Sequence, residues 1–124
     1  MSKNSLKIIS DRLTDAGINY EFGEWTSPEI IYPYFTGEYQ EETPINEDGL
    51  IESTFILVGF SRGSWLDLEN AKEIVRRLFS NFTMITESGS GLAIYYDGAF
   101  IVPTGDAELK RIEIRLNVKE WMVN

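Results

Sequence analysis

The apolar positions of the chain follow two periods. Between 66 and 82, Leu68, Ala71, Ile74, Val75, Leu78, Phe79 and Phe82 recur at spacings of three and four. Asp67, Glu69, Asn70, Lys72, Glu73, Arg76, Arg77 and Ser80 fill the positions between. That spacing lays one apolar stripe along a helix and leaves the other side to water. Asp67 is the expected N-cap, its carboxylate accepting from first-turn amides that have no intrahelical partner. Leu6, Ile9, Leu13 and Ala16 repeat the pattern and predict a helix over 5–16. Gly17 follows where a left-handed residue commonly closes a helix.

Elsewhere the period is two. Ile18, Tyr20 and Phe22 alternate with Asn19 and Glu21, a short strand, and Thr26-Ser27-Pro28 is a connector. The stretch 30–39 (IIYPYFTGEY) is rich in β-branched and aromatic residues. Pro33 cannot donate to a ladder, which puts this strand at an edge or a bulge. A polar segment with Pro44, ending in Asp48-Gly49, predicts a long mobile hairpin loop over 40–50, leading into a strand over 51–60. After the main helix come strands at 83–86 and 92–96, a tight-turn signal at Asp97-Gly98, a strand at 99–102 and a turn at 103–106. In the last strand Ile112, Ile114, Leu116 and Val118 point one way and Arg111, Glu113, Arg115, Asn117 and Lys119 the other, one face dry and one wet. Trp121 is expected to pack across the end of the sheet. The expected fold is α+β in the order α-β-β-β-α-β-β-β. It has an antiparallel sheet of about five to six strands, with two helices on it, as one domain over 1–124.

Length and composition agree with a folded domain: 124 residues, 43% hydrophobic and 13% aromatic. No apolar run reaches the ~20 residues of a membrane span, and the polar residues of MSKNSLKIISDRL break any signal-peptide core. A cytoplasmic protein that makes no membrane contact is expected, and the lack of cysteine agrees with that compartment. Net charge is −9, unevenly spread. From 21 to 61 the chain has nine carboxylates (Glu21, Glu24, Glu29, Glu38, Glu41, Glu42, Glu47, Asp48, Glu52) and no lysine or arginine. Such a surface repels phosphate, which disfavours sequence-specific nucleic-acid binding. Basic residues return later, at Arg76, Arg77, Lys110, Arg111, Arg115 and Lys119, so acidic and mixed halves can associate head-to-tail.

The motifs that suggest chemistry lack its other half. Gly59-Phe60-Ser61-Arg62-Gly63 matches a G-x-S-x-G nucleophile elbow between strand and helix, but a serine nucleophile needs a base and the chain has no histidine. Without His or Cys the common zinc and redox sites are gone too. Asn46-Glu47-Asp48-Gly49 has calcium-type oxygens without the bidentate glutamate that follows in a calcium loop. Glu87-Ser88-Gly89-Ser90-Gly91 lacks the lysine of a phosphate loop. No catalytic, metal or cofactor residue is expected, and the protein reads as non-enzymatic. The aromatics of 32–39 and 95–100 are instead contact candidates, because an edge strand with unpaired amides can pair with another chain.

With IIYPYFTGEY, the polar loop, STFILVGFSRG and LDLENAKEIVRRLF in view, the order of parts over about 6–118 resembles the tail terminator (tail completion) proteins of long-tailed bacteriophages and prophages. The quoted motifs carrying that likeness are the Tyr32-Pro33-Tyr34 strand and the strand–turn–helix that follows the loop. The resemblance implies a non-enzymatic ring, commonly hexameric, that stops the tail tube and joins it to the head. Its expected partners are therefore copies of itself, tail-tube proteins and head–tail connector proteins. It would assemble in the bacterial host cytoplasm and reside in the virion tail, with DNA passing through the ring unbound. Candidate interaction residues are Tyr32, Tyr34, Tyr39, Glu41, Glu42, Glu47, Asp48, Arg76, Arg77, Arg111 and Arg115. A different class also fits the acidity: a small binding or inhibitor-type module recognising a basic protein partner.

Overall fold

Two helices cover one face of a six-stranded sheet. The computed structural model describes residues 1–42, 49–86 and 89–121. Along the chain come α1 (Lys3–Asp15), β1 (Tyr20–Phe22), β2 (Tyr34–Glu41), β3 (Leu50–Arg62), α2 (Trp65–Phe79), β4 (Phe82–Ile85), β5 (Gly91–Val102) and β6 (Leu109–Trp121). The sheet order is β1-β2-β3-β6-β5-β4. The α+β class is the one read from the pattern, the order of elements differs from it in detail, and the sheet is curled into a half-barrel.

The expectation of a wholly antiparallel sheet is corrected by β1, which runs parallel to β2 in the register Tyr20↔Phe35 to Phe22↔Gly37. The cause is the connection. Residues 23–33 carry the chain back to the starting end of β1 before β2 begins, a return that a short hairpin cannot make. Ile30, Ile31 and Pro33 lie in that connection rather than in the strand. The predicted loop over 40–50 is part strand, since Gln40 and Glu41 belong to β2, and its centre at 43–48 lies outside the described residues.

Asp97-Gly98 is not a turn between two strands. β5 runs unbroken through it, with a bulge between Tyr96 and Ala99, and Gly98 takes the positive φ (116°) that the irregularity needs. Helix α2 starts at Trp65 with Ser64 at the cap position, so Asp67 sits in the first turn instead. There its charge still favours the positive end of the helix dipole. Phe82 leaves the stripe and opens β4, meeting Phe79 edge-on at 6.1 Å.

The core lies between the helices and the inner sheet face. Ile9 and Leu13 of α1 and Leu68, Ala71, Val75 and Phe79 of α2 close over Phe35, Phe55, Leu57, Ile94, Ile112, Ile114, Leu116 and Val118. Gly37 and Gly59 leave room for rings: a methyl group on Gly59 would come within 2.2 Å of Phe35, and one on Gly37 within 2.5 Å of Phe55. Arg12 ties the helices together, donating to the Leu78 carbonyl at 3.2 Å with its guanidinium 4.1 Å from the Phe82 ring centre.

One inward position of β6 is charged. Glu120 continues the parity of Ile112, Ile114, Leu116 and Val118 and is 2% exposed. Its carboxylate takes the amide of Ser2 at 3.1 Å, the Ser2 hydroxyl at 2.7 Å and the Ser5 hydroxyl. Ser2 is the N-cap of α1 and accepts from the Ser5 amide at 3.1 Å. A buried carboxylate thus ends a helix at its positive pole and fastens α1 to β6.

Candidate interaction surface

The face of the sheet turned away from the helices is built in cross-strand rows. Tyr34, Phe60, Arg111 and Val102 stand side by side on β2, β3, β6 and β5, and the next row is Thr36, Val58, Glu113 and Phe100. Tyr34 stacks on Phe60 at 5.2 Å and meets Trp25 at 5.1 Å and Tyr32 at 5.7 Å. The Arg62 guanidinium donates to the Tyr32 hydroxyl at 3.3 Å, and that bond raises the Arg62 pKa above its ordinary value. Arg111 approaches the Phe60 ring at 5.8 Å and Arg115 the Phe100 ring at 5.1 Å. Burial pushes the Tyr34 hydroxyl pKa up, and the side chain presents a hydrogen-bonding tip on an apolar body.

The arginines are held by a carboxylate on their own face of β6. Glu113, between them on β6, takes Arg111 at 3.1 Å and Arg115 at 4.0 Å, and Lys119 reaches Glu52 at 3.5 Å across the register pair Glu52↔Lys119. The outward charges of β6 thus pair along the strand at 111–115 and across to β3 at Lys119. The connection 23–33 that places Trp25 is braced by Glu21. Its carboxylate accepts from the Thr26 hydroxyl at 2.6 Å and the Thr26 amide at 3.1 Å, which holds it below the usual glutamate range. Rings, guanidiniums and one shared carboxylate therefore form a half-exposed strip suited to broad, flat contacts.

The predicted site residues divide between the two sides of the sheet. Tyr32, Tyr34, Arg111 and Arg115 come together on the outer strip. Arg76 and Arg77 are exposed on α2, in the layer on the opposite side of the sheet, and do not join them. Tyr39 is at an inward position of β2 beyond the helices' cover, exposed and paired with Phe22 at 6.1 Å. Glu41 takes the Met1 ammonium at 2.6 Å, and the Glu42 amide donates to the Glu52 carbonyl at 3.0 Å. Glu47 and Asp48, with most of the calcium-like segment, lie outside the described residues. Ser61 of the G-x-S-x-G match is fully buried inside β3, facing the core rather than standing on an exposed elbow.

Sequence reading passed over Phe60 and Glu113 as contact residues and included Phe100 among the aromatics of 95–100. Phe60 sits in a strand buried on both faces, where alternation is silent. Phe100 shows its outward parity only once the bulge at 97–98 is counted. Among the described residues no helix is long and apolar enough to cross a membrane.

No family model matches the chain, and no curated protein matches it in sequence. Solved structures do match in three dimensions. One superposes with a TM-score of 0.68 over 100% of this chain and 99% of its own length, at 14% identity. A likeness at that identity shows the fold alone, two helices on a curled α+β sheet, and that structure's name states no function.

Proposed function

We propose that this chain is a non-enzymatic structural subunit of a long-tailed phage or prophage tail. Copies form a ring, commonly of six, that ends the tail tube and joins it to the head. The observation that supports this best is the outer strip. Tyr34, Phe60 and Phe100 interleave with Arg111 and Arg115 across four strands, an amphipathic surface of the kind that subunit contacts use. The acidic end of the sheet, at Glu38, Glu41 and Glu42, complements those arginines on a neighbouring copy. A contact between two different patches of the same protein repeats head-to-tail and can close into a ring. Its partners on this reading are other copies, tail-tube proteins and connector proteins, in the host cytoplasm and then in the virion tail. Carboxylates turned to the channel would let DNA pass by like-charge repulsion.

A second reading is a monomeric or dimeric acidic module that captures a basic protein. The exposed glutamates at the end of β2 favour it.

Light scattering on a sizing column across a concentration series separates the two. The ring reading predicts a species several times the mass of the 14.2 kDa chain. In Arg115→Glu the like charge should move assembly about tenfold or more toward higher concentration, since misplaced charges at an interface cost several kcal/mol. A strict monomer, also in the presence of a candidate tail-tube protein, supports the acidic module. Unchanged assembly of Arg115→Glu removes Arg115 from the contact.

A further inference from the structure

The sheet has two open backbone edges at diagonally opposite corners. β1 covers β2 only from Phe35 to Gly37, so among the described residues no strand lies beside 38–41 on that side. At the other edge β4 covers β5 only over 91–94, and among the described residues no strand lies beside 95–102 there. Successive residues of a strand point to opposite faces. In the β2 segment all four residues, 38–41, are exposed, and in the β5 segment Phe100 (43%) and Ile101 (54%) are both exposed. The β2 segment is therefore uncovered on its edge and on both of its faces; the β5 segment is so at 100–101, while Tyr96 and Ala99 pack half-buried against the core. Open amides and carbonyls in such a place are a template for another strand.

The two edges differ in character, and that selects the occupant. The β2 segment carries Glu38 and runs into Glu42, with Glu41 shared with the Met1 ammonium. Two such edges laid together would bring carboxylates onto carboxylates. The β5 segment carries one exposed carboxylate, Asp97, in its bulge; past the bulge it is apolar at Phe100 and Ile101, and the half-exposed Arg115 lies over the Phe100 ring. An acidic strand suits that edge, and Tyr39 supplies a ring to set against Ile101.

We propose that the open edge of β5, residues 95–102, receives the open segment of β2, residues 38–41, of a second copy of this chain, extending the sheet from one copy to the next. The contact is heterologous, so each copy keeps one edge free and the chain of copies continues until it closes. It deepens the assembly reading by naming the contact, and it can fail without that reading failing.

The chain has no cysteine, so single thiols are unambiguous reporters. Tyr39→Cys and Ile101→Cys are made separately at exposed positions, mixed in equal amounts and treated with a short bis-maleimide. Held side by side the thiols react at an effective concentration in the mM range, so the mixture should give cross-linked dimer at about tenfold or more above either variant alone. Equal cross-linking of one variant with itself would mean a symmetric contact and overturn the proposal. So would cross-linking of Tyr39→Cys to Thr83→Cys on β4 that matches or exceeds the Ile101 pair, or no excess over a denatured control in any mixture. Large assemblies without the 39–101 cross-link keep the ring reading and remove this contact. The cross-link without larger assemblies keeps the contact and removes the ring.

Discussion

Replacement of Glu120 by alanine is expected to destabilise the fold by about 3 kcal/mol, in line with buried hydrogen bonds to a charged group and the desolvation of the donors left behind. The carboxylate takes the Ser2 amide, the Ser2 hydroxyl and the Ser5 hydroxyl. In Glu120→Ala the Ser2 amide and the Ser5 hydroxyl lose this acceptor and the Ser2 hydroxyl is left with the Ser5 hydroxyl at 3.0 Å, at a helix end where unmet donors concentrate. Glu120→Gln keeps one acceptor oxygen without the charge, so its cost should be about 1 kcal/mol, the size of a single net hydrogen bond. Urea denaturation measures both, with the midpoint falling and the slope unchanged. An alanine variant within about 0.5 kcal/mol of the parent, the spread of ordinary surface changes, would mean that α1 is held by its apolar face alone.

A comparable effect is expected at the seat of Phe35. Its ring is fully buried and lies directly over Gly59, its register partner on β3, so that a methyl on Gly59 would be 2.2 Å from the ring. Phe35→Ala should cost about 4 kcal/mol through lost burial and the cavity left behind. Gly59→Ala should cost about 2 kcal/mol by overpacking. The two are coupled, because removing the ring removes the clash. In the Phe35→Ala background Gly59→Ala should cost markedly less, and the double-mutant cycle reads that directly. Additive losses would show that Gly59 is constrained by its backbone and not by the ring.

These two sites also show what the sequence could and could not carry. Both helices and β6 were legible because each has one wet side, and the 3.6 and 2.0 periods are the trace of that asymmetry. Glu120 was within reach of the same argument, two positions past Val118 on the dry face. Phe60 was not, because β3 buries both sides and its pattern is a plain apolar run. Asp97-Gly98 has the chemistry of a tight turn, and a bulge uses that chemistry too, so only the ladder with β6 distinguishes them. The parallel course of β1 leaves no mark in local periodicity, since strand direction is set by the path of 23–33. For the contact surface, the arginines of β6 were legible as outward residues of a strand, and Tyr34 only as an aromatic contact candidate. Their meeting across four strands depends on sheet order, and so does the separation of Arg76 and Arg77 from them. The open edges depend on the differing lengths of β1, β2, β4 and β5, which neighbouring residues do not encode.

On the proposed function, copies of this chain close into rings. Negative-stain images of the largest species from a sizing column, taken with and without a candidate tail-tube protein, test it most directly. Closed rings with a common rotational symmetry, six-fold for a hexamer, are the expected result. Discrete monomers or dimers at the highest concentration, unchanged by the tube protein, would contradict it.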